Sequence, residues 1–127
     1  DLARTLGNLP PNLCTPSYLA DEARKLAKQF KLGIEVLERK DMERLGMGML
    51  LGVGQGAAHP PRLIAVKLPG WESGGDRRLA IVGKGVCFDT GGLDIKPSER
   101  MEEMKMDKTG ACTVLAAAAT VAQGSGR

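Results

Sequence analysis

The chain has 127 residues, 18 Lys and Arg against 15 Asp and Glu for a formal net charge of +3, and hydrophobic and charged fractions of 43% and 26%. This bounds it to at most one domain with a core of its own, of ordinary soluble composition; the mild charge neither demands nor excludes a nucleic-acid partner, and no dense basic tract with interleaved aromatics is present. Cys14, Cys87 and Cys112 are widely spaced with no C-x-x-C, which argues against a zinc knuckle or a disulfide framework and for a reducing cytoplasm, while no apolar run approaches a membrane span and no signal peptide is visible.

The chain opens in what reads as the last turns of a helix, with Leu2, Ala3 and Leu6 on one side, and the prolines of Asn8 to Asn12 make a loop. Thr15-Pro16 supplies an N-cap followed by proline at the first helical position. Leu19, Ala23, Leu26, Ala27 and Phe30 then line one helical face; Asp21 and Lys25 are spaced to pair, and Gly33 is expected to end the helix. Ile34 to Leu37 is a short strand, and Asp41 can cap a brief helix reaching Leu45. Glycines recur at 46, 48, 52, 54 and 56 around apolar residues. Arg62 to Leu68 and the buried Leu79 to Val82 are expected to be strands joined as an antiparallel hairpin by the polar turn between them. Val86 to Phe88 is extended, and a helix from about Lys108 to Gln123 presents Ala111, Val114, Leu115, Ala118, Val121 and Ala122 as its apolar face. Strand and helix alternation argues α/β.

The stretch from Val82 to Asp107, VGKGVCFDTGGLDIKPSERMEEMKMD, sets Lys84, Asp89, Lys96 and Asp107 around a glycine-rich turn between an apolar strand and a helix. Active-site groups are often mounted so. Lys84 between Gly83 and Gly85 is not a phosphate loop, because Arg78 and Gly85 stand where that pattern needs glycine and Ser/Thr. Gly54-Gln55-Gly56 is half a dinucleotide fingerprint, with His59 in place of the last glycine; His59 itself fits a loop before Pro60-Pro61. Asp89 suits a metal or catalytic role beside close-approach glycines, or an Asx turn bonding its own backbone. Asp107 suits the same role or an N-cap. Lys96 alone would be a solvated lysine.

Taken together, VGKGVCFDTGG, IKPS and MEEMKMDKTGA resemble the leucyl aminopeptidase family (cytosol aminopeptidases, two-metal exopeptidases), as do LGNLPPNLCTPSYLA and LGMGMLLGVGQGAAHPPRLI, over nearly the whole chain. The resemblance implies part of a three-layer α/β/α catalytic domain with a mixed central sheet, truncated on its C-terminal side: residues 1–15 as the end of a linker helix and loop, residues 16–127 as the N-terminal half of the catalytic domain. It implies Lys84, Asp89 and Asp107 as ligands of two divalent cations, Mn²⁺ or Zn²⁺. Lys84 would act as a neutral amine, and Lys96 would be the catalytic cation on the developing oxyanion. Lys84, Asp89, Lys96, Met104 and Asp107 would contact the substrate, Met104 lining the pocket for the first side chain or, on its own terms, serving as a core or turn methionine.

The family's second signature, N-T-D-A-E-G-R, which supplies further acids and an arginine holding bicarbonate, has no counterpart here; a truncated chain accounts for that and would by itself be inactive. Lys108-Thr109 stands where Met-Gly is more often seen. The resemblance implies that the full-length parent is a cytoplasmic, metal-dependent aminopeptidase releasing leucine-like residues from the amino ends of peptides, as a homohexamer, with no membrane or nucleic-acid partner. The competing readings are a non-catalytic DNA-binding or interaction protein on the same fold, whose basic stripe is missing, and a nucleotide-binding α/β domain, disfavoured by the failed phosphate-loop pattern.

Overall fold

The computed structural model describes residues 1–73 and 78–124. The elements run α1 (Leu2–Asn8), α2 (Pro16–Phe30), β1 (Gly33–Leu37), α3 (Arg39–Arg44), α4 (Gly48–Gly54), β2 (Leu63–Lys67), a 3₁₀ turn (Met101–Met106) and α5 (Thr109–Gly124). Mixed helix and strand content is as expected for an α/β chain. No described helix is long and apolar enough to cross a membrane.

Helix α2 begins as its sequence dictates. The Thr15 hydroxyl accepts from the Tyr18 N–H at 3.2 Å, and Pro16 occupies the first turn, where no N–H is needed. Its buried stripe is Leu19, Ala20, Ala23 and Ala27. The helix stops earlier than expected: Lys31 takes the left-handed conformation (φ 55°, ψ 42°) and caps back to the Ala27 carbonyl, so Gly33 opens β1 instead. The expected Asp21–Lys25 pair is replaced by Asp21–Arg24 at 2.8 Å and Glu22–Lys25 at 2.6 Å; Glu22 offers Lys25 a carboxylate one residue nearer. Helix α3 likewise starts before Asp41. Glu38 is its N-cap, and the Glu38 N–H donates to Asp41 Oδ2 at 3.1 Å from the third helical position, one half of a capping box.

The sheet differs most from expectation. β1 and β2 pair antiparallel in full register, Gly33 opposite Lys67 through Leu37 opposite Leu63, so β2 finds its partner upstream rather than in a hairpin with Leu79 to Val82. Residues 79–82 belong to no strand, and Leu79, Ile81 and Val82 are 82%, 64% and 91% exposed. The cause is visible just downstream. The Ala111 N–H donates to the Lys84 carbonyl at 2.7 Å and the Val86 N–H to the Asp107 carbonyl at 3.2 Å, drawing the chain to the start of α5 and away from β2. Part of the turn expected between the two strands, residues 74–77, lies outside the described residues.

The core gathers Leu6 of α1, Cys14, Leu19 and Ala23 of α2, and Cys112 and Leu115 of α5; Ile34, Ile64 and Val66 of the sheet pack on it. The face of α5 that enters is Cys112, Leu115 and Ala119, and Val121 is exposed. The expected face holds only Leu115 of these. A run of alanines and valines leaves the helix apolar nearly all round, so its sequence alone does not say which side turns inward.

Candidate active site

The residues from Gly83 to Val86 lie against the N-terminal end of α5 and the residue Asp107 that precedes it. Gly83 is there for closeness: a Cβ on it would stand 2.5 Å from the Gly110 carbonyl oxygen, so any side chain would lever the Lys84 backbone off the helix. Lys84 is thereby set beside Asp107, Nζ to Oδ2 3.1 Å, with the lysine side chain 65% and the aspartate 33% exposed. Asp107 closes the 3₁₀ turn two residues before α5 begins, and its Oδ2 meets Lys84.

Downstream, the chain turns back tightly through Thr90-Gly91-Gly92. Gly91 has φ +102°, and a Cβ there would strike the Asp94 carbonyl and stand 2.9 Å from the Lys96 nitrogen. The turn is closed by the Lys96 N–H donating to the Thr90 carbonyl at 2.8 Å, and it delivers the Lys96 side chain to Asp89, Nζ to Oδ2 3.3 Å. The other Asp89 oxygen accepts from the Gly91 N–H at 2.8 Å. One Asp89 oxygen thus makes the local Asx turn, and the other faces the Lys96 ammonium. The Gly91 N–H, then Lys96, and then the more distant charge of Lys84 hold its carboxyl below the usual range.

The four residues form two ion pairs, Lys84 with Asp107 and Lys96 with Asp89, and the charge of Lys84 reaches Asp89. Met104 is half-buried in the 3₁₀ turn, and its carbonyl accepts from the Asp107 N–H at 3.2 Å. His59 is exposed in its loop. Among the described residues no group of three or more His, Cys, Asp and Glu is arranged to hold a metal ion. Two carboxylates and an amine are nonetheless a donor set suited to a hard or borderline dication, and both carboxylates remain partly open to solvent.

The chain's first 126 residues match the family described as "Cytosol aminopeptidase family, catalytic domain". The chain belongs to the cytosol aminopeptidase family. It is 55% identical over 114 residues to "Probable cytosol aminopeptidase" of Aromatoleum aromaticum, covering 90% of this chain and 23% of that protein. It is 49% identical over 122 residues to the protein of the same name from Dechloromonas aromatica, covering 96% and 24%. Among solved structures it superposes on the cytosol aminopeptidase of Coxiella burnetii with a TM-score of 0.83 at 37% identity, over 97% of this chain and 26% of that one. It superposes on "Bottromycin maturation enzyme BotP in complex with Mn" with a TM-score of 0.81 at 38% identity, over 96% and 26%. The chain thus spans about a quarter of the length of the relatives it matches.

One residue of consequence lies outside the expected site. Lys108 is fully buried beneath it. A signal was present in the sequence, since Lys108 falls on the same helical stripe as Cys112, Leu115 and Ala119, four, seven and eleven residues on.

Proposed function

We propose that the full-length protein is a metal-dependent aminopeptidase that releases amino-terminal residues, leucine-like ones by preference, from peptides in the cytoplasm. The observation that carries this reading is the pair of carboxylates, Asp89 and Asp107, each matched with a lysine in the segment that leads into α5, in a chain of the cytosol aminopeptidase family. Asp89, held ionised by the Gly91 N–H and Lys96, and Asp107 would be anionic ligands. Lys84 would give up its ammonium proton to join them, so that cation binding releases a proton. Divalent cations, manganese or zinc, supply Lewis acidity and a water of lowered pKa when bound.

Lys96 has a different part. It stands on a turn that Gly91 permits, and its ammonium would donate to the peptide carbonyl oxygen as negative charge grows there. Asp107 would lie near the free amine of the substrate, which restricts the reaction to the amino end. Met104, in the same turn, would line the pocket for the first side chain. Among the described residues no three acidic, cysteine or histidine side chains are arranged to hold a metal ion, which leaves too few ligands for a pair of cations roughly 3.5–4 Å apart. The 127-residue chain by itself is therefore expected to turn over no peptide; further acids, a bicarbonate-holding arginine and a hexameric assembly would be properties of the whole protein. The test is hydrolysis of leucine amide by the full-length protein before and after exhaustive chelation. Loss of turnover and its return with Mn²⁺ or Zn²⁺ is expected; undiminished turnover without metal overturns the reading.

A further inference from the structure

Lys108 follows Asp107 directly, yet it is the one charged residue that is fully buried among those described. Its ammonium donates to the carbonyl of Leu9, 2.8 Å away and 99 positions distant in sequence, and to the carbonyl of Lys105. Its wider surroundings are thiols: its charge pulls on Cys14, Cys87 and Cys112, but burial pushes each thiol up by more, Cys14 to about 11. Those groups therefore stay protonated and supply no counter-charge. Burying an ammonium is costly unless its hydrogen bonds are good, and a methionine of similar length would fill the same space without that cost. Packing alone does not account for a lysine here.

What the ammonium joins is informative. Leu9 packs on the hydrophobic core. Lys105 lies in the 3₁₀ turn, two residues before Asp107. The same short stretch is held from the other side by the Val86 N–H on the Asp107 carbonyl and by Lys84 on the Asp107 carboxylate. The turn that carries Asp107 is thus pinned between the glycine-flanked Lys84 segment above and the helical core below, and Lys108 makes the lower attachment.

We propose that Lys108 is a positioning residue: by tying the Lys105 carbonyl to the Leu9 loop it fixes the 3₁₀ turn, keeps the Asp107 carboxylate aimed at Lys84, and so sets the affinity of the site for a divalent cation. The proposal rests on the reading of Asp107 as a ligand. Loss of a comparable supporting contact lowers metal affinity by about 10- to 100-fold.

The experiment is a Mn²⁺ titration of the metal-stripped full-length protein, reading free Mn²⁺ by its paramagnetic resonance, for the parent, Asp107→Asn, Lys108→Met and Lys108→Arg. Lys108→Met should stay folded by circular dichroism and weaken Mn²⁺ binding by about tenfold or more, while Lys108→Arg retains most of the affinity. At saturating Mn²⁺, Lys108→Met should lower kcat for leucine amide more than it raises KM. If Asp107→Asn leaves Mn²⁺ affinity unchanged, the reading of the site fails, and the Lys108 inference fails with it. If Asp107→Asn weakens binding and a folded Lys108→Met binds within twofold of the parent, the inference alone is overturned. Should Lys108→Met not fold, Lys108→Gln decides by the same titration. If neither folds, Lys108 serves folding alone and the proposal is overturned.

Discussion

Two parts of this molecule are held together in different ways. The helical part, α1, α2 and α5, is joined by apolar burial: Leu6, Leu19, Ala23 and Leu115 interlock around two buried cysteines. The segment from Leu79 to Asp107 has no strand and only one short 3₁₀ turn, and it exposes Leu79, Ile81, Val82, Leu93 and Ile95. It is fastened at a few polar points, chiefly Val86 to Asp107, Lys84 to Ala111, Lys96 to Thr90 and Lys108 to Leu9. The candidate chemistry is carried on backbone hydrogen bonds and close glycine contacts, while stability resides in the helices. Substitutions in the two parts should accordingly move different measurements.

The largest effect expected is on rate. In the full-length protein, Lys96→Ala should lower kcat by roughly 10²–10³-fold, as for removal of one oxyanion donor, and leave Mn²⁺ affinity nearly unchanged. If the variant instead sheds its metal and keeps the rate per bound metal, Lys96 belongs to the binding set and the assignment of roles is wrong.

Next comes stability. Leu19→Ala should cost about 2–3 kcal/mol by loss of buried surface and the cavity left behind. Leu93→Ala, at a position that is fully exposed here, should stay within about 0.5 kcal/mol. Denaturant midpoints of the two variants sharpen the contrast. Equal losses would erase the distinction drawn between core and site segment.

A smaller effect is pH-dependent. Burial raises the Cys14 thiol from its ordinary 9.0 to about 11, and Cys87 and Cys112 are raised for the same reason. A raised thiol favours the fold fully below the unfolded value and less as pH climbs towards the folded one. Stability should therefore decline between about pH 9 and pH 11, and Cys14→Ala should flatten that decline. An unchanged slope in the variant would place the titration elsewhere.

The smallest effect tests backbone strain beside the site. Arg100, at the start of the 3₁₀ turn, has φ 66° and ψ 8°, a left-handed conformation that costs a side-chain-bearing residue roughly 1 kcal/mol or more. Arg100→Gly relieves that cost but loosens the unfolded chain, so the net gain should be no more than about 1 kcal/mol, with kcat unaltered. A loss of stability would show that the arginine makes contacts worth more than its strain.

The sequence by itself determined what depends on neighbours within a turn or two. Thr15-Pro16 starts α2, and the spacing of Leu19, Ala23 and Ala27 turns that face inward. Gly83 and Gly91 mark where the backbone must come close or turn sharply, and the order Lys84, Asp89, Lys96, Asp107 was legible because the glycines and the charged residues lie in one short stretch. Tertiary structure decided what depends on a distant partner. β2 pairs with β1 rather than with Leu79 to Val82, because the same apolar pattern suits either neighbour and the choice is made by the hold of Ala111 in α5 on Lys84 and of Asp107 before it on Val86. The inward face of α5 was decided by packing against α1 and α2, since its own residues are apolar on most sides. The burial of Lys108 was decided by a carbonyl 99 residues away: a charge enters a protein interior only where acceptors already converge, and that convergence does not exist until the chain has folded.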